Sequence, residues 1–440
     1  MTIRIIVIMD KSSNWYKLDN AAKIIPSTVR GANTRVFRIS CELIEDVDPK
    51  ILQQALDESI IEYPFFNCIL RRGLFWYYLE DSQLKCTVEE ENLPACSPLY
   101  LPGKKSLLYR VFYYKRRINM EMFHVLADGT GAFMFFRRMV TRYLEIAHDF
   151  RVDSDFFANE IASLQERNND SFTHYYQNQK GLKQLKSLSS NNAFQLNGET
   201  DSNNNCHLVE VMVSSKEFKA LAEKYNSTVG VLSTAIYIAA IIDTMSSAQK
   251  KKPIVVSVPV NLRQYFKSFT ARNFFGVISI KYDPMDFDNT LSSIIGVVNA
   301  SFKEQLDPKR INETMNSYAA LEHNIAIKVV PLFIKDYAIG QFDAAAKKGV
   351  TTSISNMGVI KMPAEVTPFI DRFSAFMTAA KEQITICSFR DRLVFGECSA
   401  FVDHPTMLNL CRRLTAEGIR VEVATNDYDD LTEEKKEETV

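Results

Sequence analysis

The sequence lacks several features that mark whole classes of protein. It contains eight cysteines, but no C-x-x-C pair and no histidine at ligand spacing, so we expect no zinc site and no bound metal. Lys and Arg number 52 against 53 Asp and Glu, and a net charge of −1 argues against a nucleic-acid partner. No apolar run reaches the roughly 18 residues that a spanning helix needs, so we expect no transmembrane segment.

We also expect no secretory signal at the amino terminus. The first ten residues form a short apolar run with one basic residue, which is typical of a first strand rather than of an export signal. Cysteines without an export signal are normally reduced thiols. The sequence therefore predicts a cytoplasmic protein.

The 440 residues that are present favour two domains or two similar halves. Strand-like and helix-like segments alternate in both halves, which predicts an α/β fold with mixed sheets. Composition divides the chain into a first half at 1–178, a polar linker or lid at 179–206, a second half at 207–426 and an acidic, disordered tail at 427–440.

Local signals mark three helix starts and one strand end. Asp48 precedes a proline, Ser214 begins a capping-box spacing, and Thr228 precedes an apolar helical run. Residues 350–354 predict a strand that ends in Ser355-Asn356-Met357-Gly358.

One short motif suggests chemistry. His124 ends a strand-like run, Asp128 follows four residues later, and Gly129 leads into a segment with helical spacing. A neutral imidazole in this place can take a proton from a hydroxyl or an amine as it attacks a carbonyl. The competing interpretation is a core histidine followed by an aspartate that caps the next helix.

The role of Asp128 is open at this point, because it can either orient His124 or hold the turn by pairing with a cation. No Gly-x-Ser-x-Gly occurs, and no cysteine lies beside the motif. Direct, single-step transfer therefore fits better than a covalent intermediate.

With two further motifs, the chain resembles the CoA-dependent acyltransferase superfamily. The first motif, His124-x-x-x-Asp128-Gly129, is followed by Pro259-Val260-Asn261-Leu262-Arg263 with Asn273-Phe274-Phe275-Gly276, and then by Ser355-Asn356-Met357-Gly358. This resemblance covers nearly the whole chain. It implies two chloramphenicol acetyltransferase-like halves with an active-site channel between them.

The resemblance also implies residue roles. His124 would be the general base, with Asp128 and Gly129 in the same catalytic motif and Arg263 as the structural partner of Asp128. Substrate, oxyanion or channel contacts would come from five residues: Asn273, Gly276, Ser353, Ser355 and Asn356. A polar turn closing a strand is the competing interpretation for the serines and Asn356.

The bacterial alcohol acetyltransferase-like branch is the closest in motif, because Phe123 stands where condensation domains have a second histidine. The expected reaction moves an acyl group, in the first instance acetyl, from a CoA thioester to a small-molecule alcohol. Acyl-CoA would be a co-substrate, with no bound cofactor. The alternatives are transfer from an acyl carrier protein to a hydroxyl or amine, and a non-catalytic binding protein.

Overall fold

The computed structural model describes residues 14–153, 155–158, 166–167, 170–176, 192–323 and 330–426. Three predictions fall wholly or partly outside the described residues. They are the first strand before residue 10, residues 179–191 of the linker or lid, and the acidic tail 427–440.

Strands and helices alternate along the described chain. The strands are β1 (Trp15–Lys17), β2 (Val36–Leu43), β3 (Cys68–Arg72), β4 (Tyr77–Asp81), β5 (Glu89–Glu90), β6 (Tyr109–Tyr114), β7 (Arg117–Phe123), β8 (His207–Ser214), β9 (Ile254–Asn261), β10 (Phe275–Tyr282), β11 (Thr352–Val359), β12 (Ile370–Met377), β13 (Glu382–Phe389), β14 (Arg392–Ser399) and β15 (Glu422–Thr425). The α-helices are α1 (Pro49–Ser59), α2 (Gly129–Ala147), α3 (Asp155–Ala158), α4 (Ser171–Tyr175), α5 (Ser215–Lys224), α6 (Val229–Thr244), α7 (Leu291–Gln305), α8 (Pro308–His323), α9 (Leu332–Lys347) and α10 (Pro405–Ala416).

The strands form a seven-stranded sheet in the order β10-β9-β11-β13-β14-β8-β15 and a five-stranded sheet in the order β12-β2-β7-β6-β5. A small three-stranded sheet, β1-β4-β3, completes the set in the described residues. Most pairs are antiparallel, but β11 runs parallel to both β9 and β13, and the short β5 runs parallel to β6. The prediction of an α/β fold with mixed sheets is confirmed.

Strand β12 joins the two halves. It belongs to the late part of the chain, yet it pairs antiparallel with β2, with Phe376 opposite Arg38 and Met377 opposite Phe37. The five-stranded sheet is therefore completed by a strand from the second half of the sequence. Local residue patterns gave no sign of this pairing.

Residues 192–206, the described part of the predicted linker or lid, lie against the second half. Phe194 and Leu196 are buried in its core. The Phe194 backbone N–H donates to the carbonyl of Pro253 over 2.8 Å. This stretch is fixed by both apolar contact and a backbone hydrogen bond.

The three predicted helix starts are confirmed by their cap geometry. Asp48 accepts from two backbone N–H groups at the start of α1, Ser214 accepts from Glu217 N, and Thr228 accepts from Val231 N. The predicted strand end at residue 354 is wrong, because β11 continues to Val359 by pairing with β13. Within the described ranges no single helix is long and apolar enough to cross a bilayer; α5 and α6 reach the criterion only as a pair bent by 85°.

The amino terminus of α2 makes a close backbone contact with the loop before β10. A Cβ atom added at Gly131 would lie 1.9 Å from the carbonyl oxygen of Ala271. At Gly129 the nearest atom would be the terminal Cε of the Met357 side chain, at 2.8 Å. The added methyl group at Gly131 would meet main chain, whereas at Gly129 it would meet the flexible end of a side chain. Gly129 should therefore tolerate alanine better than Gly131.

Gly131→Ala should lower the free energy of unfolding by about 1–3 kcal/mol, because α2 or the Ala271 loop must shift to admit the methyl group. Gly129→Ala is the matched control and should change it by less than about 1 kcal/mol, since Met357 can move and alanine favours helix. Urea unfolding of both variants measures the difference. A Gly129 variant less stable than the Gly131 variant would contradict this account.

Candidate active site

His124 follows directly after β7, next to the start of β2. Its backbone N–H donates to the carbonyl of Arg35 over 2.9 Å, which extends the pairing of the two strands. Its ring packs edge-on to Phe37, with centroids 5.3 Å apart, and is tilted against Phe275 at 5.6 Å. The imidazole is therefore held between an aromatic ring from each half of the chain.

The ring nitrogens of His124 have different roles. Nδ1 lies 3.0 Å from Oδ1 of Asn273, and an amide oxygen only accepts, so the proton resides on Nδ1. This hydrogen bond leaves Nε2 with the lone pair of the neutral ring. Asn273 itself is almost fully buried, at 1% exposure, which limits the orientations that its side chain can take.

Burial lowers the pKa of His124, because the charged imidazolium loses solvation. The Asp128 carboxylate and the hydrogen bonds of the ring to its own backbone and to Asn273 act in the opposite direction, and the nearby Arg35 charge adds to the lowering. The net result is a ring that is neutral at neutral pH, the form that can accept a proton.

Asp128 is buried at the start of α2 and caps it. One carboxylate oxygen accepts from Gly131 N over 2.9 Å. The other accepts from Arg263 Nη1 and from Phe274 N, each over 2.8 Å. Asp128 thus ties the motif of the first half to the loop before β10 in the second.

Arg263 extends this connection. Its side chain is 7% exposed, and besides pairing with Asp128 it donates to the carbonyls of Thr270 and Arg272 over 3.0 and 2.6 Å. These bonds fix the loop that carries Asn273. The sequence left open whether Asp128 orients His124 or pairs with a cation. In the structure Asp128 pairs with the Arg263 guanidinium.

A cavity of about 340 Å³ opens beside His124. Gly129 lines it from the first half, and Ser353, Ser355 and Asn356 line it from β11. Most of the remaining lining is apolar and includes Ile24, Phe37, Phe133, Phe275, Met357 and Phe376. Two other depressions of similar volume are lined mainly by charged side chains.

The remaining predicted site residues differ in position. The Ser353 hydroxyl donates to the carbonyl of Ser257 over 3.1 Å, and Asn356 Oδ1 accepts from Gly358 N over 2.8 Å. Gly276 is buried in β10 opposite Val260, and its neighbour Phe275 supplies the cavity-lining side chain of that motif.

Two residues near the site carried no usable signal in the sequence. Asp19 lies outside every motif, yet its Oδ2 accepts from Asn273 Nδ2 over 3.1 Å. Arg35 lines the cavity, has a left-handed backbone with φ of 58°, and pairs with Asp343 at 3.2 Å. Both contacts join residues more than two hundred positions apart, so no local pattern could reveal them. Among the described residues, no group of three or more His, Cys, Asp or Glu side chains is placed to hold a metal ion.

Neither a protein-family profile nor a curated protein sequence matches the chain. Solved structures do. The trichothecene 15-O-acetyltransferase TRI3 from Fusarium sporotrichioides superposes with a TM-score of 0.60 and 10% identity, over 92% of this chain and 95% of that chain. TRI101 from F. sporotrichioides, crystallised with coenzyme A and T-2, gives a TM-score of 0.61 and 10% identity, over 93% of this chain and 100% of that chain.

The first condensation domain of the calcium-dependent antibiotic synthetase is also similar, with a TM-score of 0.57 and 12% identity. The match covers 94% of this chain and 100% of that domain. Likeness at such low identity concerns the fold. The chain has the two-lobed, chloramphenicol acetyltransferase-like fold that CoA-dependent acyltransferases share with condensation domains, as the three sequence motifs indicated.

Proposed function

We propose that this protein is an acyltransferase that moves an acyl group, in the first instance acetyl, from a CoA thioester to the hydroxyl of an alcohol. The observation that carries the proposal is the buried His124 ring beside the cavity, with its Nδ1 3.0 Å from Oδ1 of Asn273. Burial lowers the pKa of His124, which favours the neutral ring with its lone pair on Nε2. A nitrogen base in that state beside a ligand-sized cavity suits proton removal from a hydroxyl.

The reaction balances in one transfer without a covalent enzyme intermediate. His124 Nε2 takes the hydroxyl proton while the acceptor oxygen attacks the thioester carbonyl, giving a tetrahedral oxyanion. Collapse of this species breaks the C–S bond, and the sulfur leaves with the proton that His124 returns. The base contributes about a hundred- to ten-thousandfold of the rate, with alignment of the reactants supplying much of the rest.

Ser355 is our preferred hydrogen-bond donor to the developing oxyanion. A hydroxyl has one proton, and that of Ser353 is already donated to the Ser257 carbonyl, so Ser353 would have to break a bond to serve. Asn356 lines the same cavity and is a second candidate through its amide nitrogen. Such donors act on the charge that develops during transfer.

Asn273 would position His124, and the buried Gly276 would support the channel wall beside Phe275. The largely apolar lining favours an acceptor whose surface is mainly hydrocarbon around its hydroxyl. Support for acyl-CoA as donor comes from the similar fold crystallised with coenzyme A.

Transfer from an acyl carrier protein is the second candidate, and the likeness to condensation domains favours it. Four arginines could face an acidic carrier, but each of them makes a contact within the chain. Arg116 and Arg117 pair with Glu42, Arg138 pairs with Glu62, and Arg137 donates to the carbonyl of Lys361. We therefore rank a free CoA thioester above a carrier-bound one.

We retain two further predictions as proposals. All eight cysteines lie among the described residues as free thiols, which supports a reducing, cytoplasmic location. All seven strands of the larger sheet come from 207–426, and four of the five strands of the other sheet come from 1–178, with β12 as the exception. This distribution supports a division into halves at 1–178 and 207–426, with 179–206 between them and 427–440 as a tail.

His124→Ala should lower turnover by about a hundred- to ten-thousandfold, because the acceptor loses its base. Thiol release from acyl-CoAs of increasing length, offered with a panel of alcohols and amines, measures turnover. The exposed His174→Ala is the matched control and should keep wild-type rates. Undiminished turnover in His124→Ala would show that His124 is not the base. Turnover of wild-type protein only with a carrier-bound donor would favour transfer from an acyl carrier protein.

Asp128→Asn should lower the free energy of unfolding by about 3–5 kcal/mol, because Arg263 is left buried without its counter-charge. Arg263→Gln should act similarly. The double variant should lose less than the sum of the two single losses, since the pair acts as a unit. Chemical unfolding of all three variants measures these effects. A loss of activity with unchanged unfolding would contradict the structural role of Asp128.

The pH profile of kcat/KM should have its acid limb below the ordinary histidine value of about 6.5, because burial lowers the pKa of His124. Activity requires the neutral ring, so kcat/KM should be level at higher pH and fall as the pH drops through that lowered pKa. Initial rates from pH 5 to pH 8.5 test the direction. A midpoint above about 6.5 would contradict it.

A further inference from the structure

Asp19 is a buried carboxylate outside the three motifs. It lies shortly after β1 and is 0% exposed. A carboxylate removed from water is unfavourable unless donors surround it. Its Oδ1 accepts from Ala22 N over 2.8 Å, its Oδ2 accepts from Asn273 Nδ2 over 3.1 Å, and Arg272 Nε lies 3.7 Å away.

The contact with Asn273 determines which way that amide faces. An ionised carboxylate only accepts hydrogen bonds, so the NH₂ group of Asn273 must point towards Asp19. The amide oxygen then points towards His124 and accepts its Nδ1 proton over 3.0 Å. With the amide turned around, an N–H group would face Nδ1 and favour the other tautomer, whose Nε2 carries the proton.

We propose that Asp19 is a positioning residue, which acts through Asn273 to keep the basic lone pair of His124 on Nε2. This inference rests on the proposed function of His124 as the base. The hydrogen bond of His124 to its own backbone carbonyl favours the same tautomer. Loss of Asp19 should therefore weaken the preference rather than reverse it.

The ionisation state of Asp19 fits this role at neutral pH. Burial raises its pKa to about 6, and Asp170 adds to the rise. The Arg272 guanidinium and the N–H groups of Ala22 and Asn273 act in the opposite direction. Above about pH 6 the carboxylate is therefore ionised and accepts only, while below it the carboxylic acid gains a donor and no longer dictates the direction of the Asn273 amide.

The hydrogen bonds from Asp19 to Asn273 and from Asn273 to His124 predict a specific loss of turnover in Asp19→Asn. An asparagine can turn a donor or an acceptor towards Asn273, so both orientations of the Asn273 amide become possible. His124 can then remove the acceptor's proton only in the fraction of molecules that have the correct tautomer and alignment. We expect kcat to fall about ten- to a hundredfold, with KM within about twofold of wild type, because the substrate-lining side chains are unchanged.

The primary test is nuclear magnetic resonance of protein labelled with ¹⁵N in its six histidines, at pH 7.5 and without substrate. The His124→Gln spectrum assigns the His124 signals by their disappearance. Wild type should show a protonated Nδ1 and an unprotonated Nε2. In Asp19→Asn the two nitrogen shifts should move towards each other as the tautomers mix, and the exposed His174 should keep its shifts.

Asn273→Ala removes the side chain that lies between Asp19 and His124. It provides an independent test if Asp19→Asn does not fold. It should mix the tautomers in the same way. Wild-type His124 shifts in Asn273→Ala, or in folded Asp19→Asn, would overturn the role of Asp19. Circular dichroism establishes which variants are folded before the spectra are compared.

Kinetics with acetyl-CoA and the best alcohol of the panel separate this inference from the proposed function. If His124→Ala loses turnover while folded Asp19→Asn keeps wild-type kcat and shifts, only the Asp19 role fails. If His124→Ala keeps its turnover, the base assignment fails, whatever the spectra give.

Discussion

The buried contact of Asp128 with Arg263 is the interaction on which the site depends. One carboxylate caps the helix after His124, accepts from Arg263, and accepts from the backbone of Phe274. The same guanidinium holds the loop that delivers Asn273 to His124. A change at this pair would therefore disturb His124, the proposed base, through the residues that position it, although the proposal gives neither charged group a proton to carry.

Burial gives His124 a second kind of constraint. An imidazole in water is partly charged near neutrality, whereas here desolvation favours the neutral ring. Aromatic contacts with Phe37 and Phe275 limit its tilt, and Asn273 selects its tautomer. Burial thus favours the neutral His124 ring, Asn273 favours its tautomer, and the two aromatic rings limit its orientation. Of these contributors, only the motif containing Asn273 and Phe275 was visible in the sequence.

Sequence reasoning reached those parts of the molecule that depend on local residue patterns. Helix starts at Asp48, Ser214 and Thr228 follow from side chains that bond to the next turn, and such signals lie within four residues. The His124 spacing alone also fitted a core histidine, and the distant Arg263 and Asn273 gave it meaning through a resemblance. Sequence reasoning did not identify Asp19, because its partner Asn273 is more than two hundred residues away and only the fold brings the two together.

Strand β12 has a consequence for how substrates reach the cavity. Because this late strand is bonded along β2, the two lobes cannot swing apart as hinged bodies without breaking a run of backbone hydrogen bonds. Opening by such a hinge would therefore be costly. In the proposed reaction, both substrates would enter a cavity that is already formed, and side-chain movements rather than a moving lobe would admit them.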